Sequence, residues 1–152
     1  MYITAHAAAG AVLGQYISSV PLAFLAGFVM HLILDMIPHG DKWIKDWKWF
    51  KSRMTRIAVA SFIDLIGVIT MSIYWINHSD PKNLAPMLAA IAGSVAPDAL
   101  WGLYELTKSP ILKWYRTLHT EIHELIFKKE ISMKQGFLLQ IIFVIIATWI
   151  IG

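Results

Sequence analysis

Five apolar stretches, each closed off by charge, proline or a Ser/Asn cluster, constrain this chain more than anything else in it: residues 3–17, 22–37, 57–76, 84–103 and 137–151. A bilayer hydrocarbon core of about 30 Å takes roughly 20 helical residues. The spacing therefore predicts an all-α, polytopic bundle of about five transmembrane helices in one domain over 1–152. Composition agrees, since 57% apolar against 15% charged residues lies outside the ordinary soluble range. The first two stretches are short and read as a hairpin turned at Ser18-Ser19-Val20-Pro21. Ala5, Ala7, Ala8, Ala9, Gly10, Ala11 and Gly14 give the first helix a smooth surface that neighbours can approach closely, which places it at the bundle centre. No basic residue precedes this stretch, so it does not read as a cleaved secretory signal.

Charge sets the expected orientation. Of the 13 Lys and Arg, six fall within 42–56 and six within 108–134, leaving only Lys82 in the connection between them. By the positive-inside rule both basic segments are cytoplasmic, the N-terminus is inside and the C-terminus outside. Topology and attraction to anionic lipid account for these basic runs without nucleic acid. Two of them have an amphipathic period. Trp43, Trp47 and Phe50 recur among Lys42, Lys45, Lys48 and Lys51, and Ile111, Tyr115, Leu118, Ile122 and Leu125 follow at helical spacing. Interfacial helices are expected over 41–53 and 110–127. The echo of Leu25-Ala26-Gly27 in Ile91-Ala92-Gly93 is too short to be a repeat.

Ionisable side chains at membrane depth cost several kcal/mol and mark function by default. His6, His31, Asp35, Asp64, Asp98 and Glu105 are such residues. His31 and Asp35 lie one helical turn apart on a shared face, a metal-ligand spacing. Pro38 and Gly40 end that helix and can swing His39 and Asp41 back over the same place as supporting groups. Pro97 kinks the next span beside Asp98. His119 and His123, again four apart, can chelate one ion from a single helix. With no cysteine present, a metal must be held by His, Asp or Glu. In the topology fixed by Lys and Arg alone, all of these groups gather at the cytoplasmic side, and only His78 falls opposite.

Thr4-Ala5-His6, Gly27-x-x-x-His31-x-x-x-Asp35 ahead of a Pro-x-Gly turn, and Gly93-x-x-x-Pro97-Asp98 together resemble the membrane-bound metal-dependent hydrolases of the bacterial inner membrane. That family is similar in motif style to zinc-dependent phospholipase C and related zinc nucleases. The order differs, because the Pro-Asp helix and the His pair here follow the His-x-x-x-Asp helix. The resemblance implies a helical bundle holding a divalent metal, expected to be zinc, and hydrolysis of a phosphoester. His6, His31, Asp35 and Asp98 match motif positions, and His119 and His123 stand in for the family's paired histidines.

The function expected on this basis is metal-assisted hydrolysis of a lipid phosphoester at the cytoplasmic membrane face. His6, His31, Asp35 and His119 or His123 bind zinc in this reading, while Asp98 completes the shell or acts as general base. Asp64 or Glu105 orients a histidine ring, and Lys42, Lys45 and Arg116 are available to an anionic headgroup. Two alternatives stay open: an ion- or proton-coupled transporter using Asp64, Asp98 and Glu105, and a noncatalytic scaffold that binds lipid or a partner through its amphipathic helices.

Overall fold

The structure, a computed structural model, describes residues 1–40, 49–123, 125 and 131–152, apart from the side chains of Arg53 and Pro81. It is all-α. Six helices occur in the order α1 (Ile3–Tyr16), α2 (Val20–Asp35), α3 (Arg53–His78), α4 (Leu84–Thr107), α5 (Pro110–Ile122) and α6 (Met133–Ile151). Among the described residues there is no strand.

Among the described residues three helices are long and apolar enough to cross a membrane: Met54–His78, Leu84–Thr107 and Met133–Ile151. This corrects the expectation of five. α1 has 14 residues and α2 has 16, which at a rise of 1.5 Å makes them about 21 and 24 Å long, short of the roughly 30 Å required. Extended backbone at Ile17 and Ser19 separates the two, with proline opening α2. α2 then closes through tightened bonds from the Met36 and Ile37 amides to the Ile33 and Leu34 carbonyls, after which Pro38 cannot continue it. α1 is apolar because protein surrounds it, whereas α2 buries only one face and leaves Leu22, Leu25, Val29 and Ile33 exposed.

α1 occupies the centre, as its small residues predict. Ala5, Ala7, Ala8, Ala11 and Gly14 are buried, packed against α2, α3, α4 and α6. At Gly27 a methyl group would overlap the Ala90 carbonyl, and at Gly93 one would overlap the Phe24 carbonyl. The two glycines of the short sequence echo thus let the backbones of α2 and α4 touch directly. Ser94 and Ala90 also receive Gly10 of α1. α1, α2 and α4 form a tight three-helix kernel. α3 and α6 pack outside it and present Phe62, Ile66, Ile69, Leu138, Ile142 and Ile146 outward.

α5 confirms a helix over the first part of 110–127. Lys108 ends α4 in the left-handed region at φ 52°, its amide donating to the Tyr104 carbonyl. The chain then doubles back from Pro110, so that Arg116 meets Glu105 (3.8 Å) and His119 meets Asp98 (3.7 Å). α5 therefore runs antiparallel along the last turns of α4. It buries Tyr115 and His119 and leaves Ile111, Trp114 and Leu118 exposed, which matches an interfacial helix with one face in protein and another in lipid. The expected helix over 41–53 lies largely outside the described residues, as 41–48 are among those left out.

Candidate metal centre

Asp35, the last residue of α2, is the hub. It is buried, and both carboxylate oxygens are surrounded. On one side, Oδ1 accepts from the Met1 amino group at 2.8 Å and lies 3.0 Å from His6 Nε2. On the other, Oδ2 lies 3.0 Å from His31 Nε2, 3.4 Å from His119 Nε2 and 3.1 Å from His123 Nε2. Asp98 Oδ1 stands 3.7 Å from both His31 Nε2 and His119 Nε2, which are themselves 3.3 Å apart. Ligand atoms from His31, Asp35, Asp98 and His119 all lie within 4.8 Å of one another, and so do those of Asp35, His39 and His123.

Local chemistry explains how each ring is aimed. His31 Nδ1 donates to the Ser94 carbonyl at 2.7 Å. Pro97 removes the helical donor to the Gly93 carbonyl, one residue before the Ser94 carbonyl that His31 reaches. With its proton on Nδ1, a neutral His31 turns a bare Nε2 lone pair inward, the arrangement common behind metal-binding imidazoles. His39 is fixed in the same way by donation from Nδ1 to the Ile37 carbonyl at 2.6 Å. Its position is held by Gly40 at φ 72°, which lies against the Ser132 carbonyl, and by Gly136, where any side chain would strike the His39 carbonyl.

Whether these residues fit a metal can be tested on the contacts themselves. Asp35 Oδ2 makes no aligned hydrogen bond despite three imidazole nitrogens nearby. His31 Nε2, Asp35 Oδ2 and His119 Nε2 converge in a dry place, where a proton on His119 Nε2 or a cation between them would join the three. For zinc bonded at about 2.0 to 2.2 Å, tetrahedral geometry puts ligand atoms about 3.3 to 3.6 Å apart. The observed 3.0 to 3.7 Å contacts bracket that value. The cluster could hold a metal ion.

Not every expected residue joins the group. His6 is fully buried and stacks on His31 with ring centroids 3.8 Å apart, yet it faces the far oxygen of Asp35, and neither of its nitrogens is hydrogen-bonded. Asp64 stands elsewhere: its carboxylate accepts from the Ile3 amide, from the Thr4 amide at 3.1 Å and from the Thr4 hydroxyl. These are first-turn donors of α1 without helical partners, so Asp64 caps one helix from another. Glu105 bonds the Lys108 ammonium and lies 3.8 Å from Arg116. Asp41 falls outside the described residues, as do Lys42 and Lys45. His78 donates to the Tyr74 carbonyl, away from the cluster.

Two contributors were not singled out from sequence. Gln140 is buried in α6, accepts from the Tyr2 amide at 2.6 Å and donates to the carbonyls of His39 (3.2 Å) and Gly136 (3.1 Å). It ties the start of α1 and the His39 segment to α6, and its presence inside an apolar span was the available signal. Tyr115, which periodicity marked only as apolar, has a buried hydroxyl without a partner and a ring 5.9 Å from His119. Burial raises its phenol above the ordinary range, and the Asp98 and Asp35 carboxylates add to the effect.

Comparison with family models finds no match, and none of the curated proteins or solved structures matches this chain.

Proposed function

We propose that this chain is a membrane-embedded, metal-dependent hydrolase acting on a lipid phosphoester. The observation that carries this reading is the meeting of His31, Asp35, Asp98 and His119 from three separate helices at ligand-to-ligand distances suited to one ion. Among the described residues three helices have membrane-crossing length and apolarity, one of which, α4, carries Asp98, and the Lys and Arg distribution along the sequence favours the cytoplasmic face. α1 and α2 form a helical hairpin that brings His6, His31 and Asp35 to that level without a full crossing.

In this reading His31, Asp35 and His119 hold the ion, Asp98 stands beside them as the base, and His123 lies next to Asp35. A zinc ion bound here supplies an acidified water near neutral pH and positive charge for a phosphoryl oxygen. The chain's own groups do the rest. Asp98 is the least buried of the four, at 24% side-chain exposure, and serves as proton acceptor for the attacking water. The Ser94 carbonyl fixes the His31 tautomer, and the Asp35 carboxylate, held from behind by His6, keeps the imidazoles in register. Arg116 beside the site draws an anionic headgroup.

The test uses detergent-purified protein returned to liposomes. Headgroup release from phospholipid should stop with chelator and return with zinc. Release that is indifferent to chelator, or absent from zinc-loaded protein, argues against the proposal.

A further inference from the structure

The hydrolase reading leaves one cavity without a role. Between α3 and α6 lies a cavity of about 490 Å³, walled by Ala60, Ile63, Phe137, Ile141 and Ile145, with Ala5 of α1 at its floor. That volume falls within the roughly 300 to 1,000 Å³ of small-molecule sites. Its two walls belong to helices long and apolar enough to cross a membrane, so what borders its opening in a bilayer is hydrocarbon. The polar groups at its edge are already engaged: Asp64 with the start of α1, and Gln140 with Tyr2 and His39.

None of the metal-centre residues lines the cavity, but one end lies beside the segment leading into α1, whose first residue touches Asp35. Tyr2 lines it and packs edge-on against Phe137, with centroids 6.2 Å apart. The neighbouring Met1 amino group touches Asp35, and Gln140 lines the cavity while binding the His39 carbonyl. From Met133 to Ile145 the groove follows thirteen residues of α6, about 18 Å at helical rise, close to the roughly 15 Å of hydrocarbon in one leaflet.

The geometry points to this groove as the seat of one fatty acyl chain of a glycerophospholipid whose phosphate lies at the His31/Asp35/Asp98/His119 centre. The inference rests on the proposed hydrolase reading for the headgroup but has its own readout. The groove positions the substrate by holding its chain along α6, so that a tail fixed between Ile141 and Ile63 sets the phosphoester at one depth.

The experiment reconstitutes the full chain in liposomes of phosphatidylglycerol carrying a diazirine at one position of an acyl chain, with labelled residues read by mass spectrometry. A seated chain gives an ordered pattern. Diazirine near the carboxyl end marks Phe137, mid-chain diazirine marks Ile141 and Ile63, and a terminal one marks Ile145, all above the outward-facing Phe62 and Ile142. Ala60→Trp should abolish the groove labels and spare Phe62. Ile145→Trp, which blocks only the far end, should remove the chain-end label alone. Equal labelling of groove and outward residues, or labels that ignore diazirine position, overturns the inference. Headgroup release and zinc content measured on the same samples separate the two readings. An ordered pattern without zinc-dependent release keeps the acyl site and sinks the hydrolase, whereas release with uniform labelling does the reverse.

Discussion

Asp64→Ala separates a helix cap from a catalytic carboxylate. In the structure the Asp64 carboxylate accepts from the Ile3 amide, the Thr4 amide and the Thr4 hydroxyl, and Thr4 Oγ1 also reaches the Asp64 carbonyl at 3.1 Å. Alanine leaves two first-turn amides of α1 without an acceptor, beside an apolar cavity where water offers little compensation. A lost cap costs about 0.5 to 2 kcal/mol, and a hydrogen bond to a charged group contributes about 1.5 to 3 kcal/mol. These overlap in one carboxylate, and the hydroxyl keeps its backbone partner, so the expected loss is about 2 to 4 kcal/mol. Asp64→Asn retains one acceptor oxygen and should cost about half as much. Reversible unfolding in mixed micelles reads the stability, while zinc per chain and headgroup release per folded molecule read the function. Capping predicts a large drop in stability with both functional readouts intact. A variant of unchanged stability, or one that folds and holds zinc yet releases no headgroup, would return Asp64 to the reaction.

Gly27→Ala forces a methyl group into the Ala90 carbonyl, so α2 must shift as a body. Overpacking of about 1 to 3 kcal/mol is expected, and zinc retention should fall because His31 and Asp35 move with that helix; thermal unfolding and metal analysis check both. Gln140→Leu removes the acceptor for the Tyr2 amide and the donor to the His39 carbonyl. It should destabilise by about 1 to 3 kcal/mol, with faster amide exchange at Tyr2.

Much of this arrangement can be read from the residues. Alternation of apolar runs with charge marks the helices, and the small side chains of α1 place it at the centre. The spacing of His31 and Asp35 and of His119 and His123 marks side chains that the fold then brings together. Hydropathy alone cannot tell a helix buried in protein from one buried in lipid, so α1 looks like a span although it is buried, and α2 looks like one although 16 residues fall short of the bilayer thickness. Asp64 shows a second limit. An ionisable residue in a span signals that a partner exists, but whether that partner is a metal or the start of another helix depends on which elements pack together. His6 shows a third: it arrives at the right level, yet the stacking of its ring on His31 turns it toward the rear oxygen of Asp35. The turn at Lys108, which sends α5 back along α4, decides that His119 meets Asp98, and helical periodicity carries no information on that reversal.

The most direct test is metal stoichiometry in the purified chain and in His31→Ala, His119→Ala and His78→Ala, with helicity checked by far-ultraviolet circular dichroism. The account predicts zinc bound by the parent chain and by His78→Ala, with zinc lost from folded His31→Ala and His119→Ala. Zinc absent from the parent chain, or retained in full by both cluster variants, would contradict it.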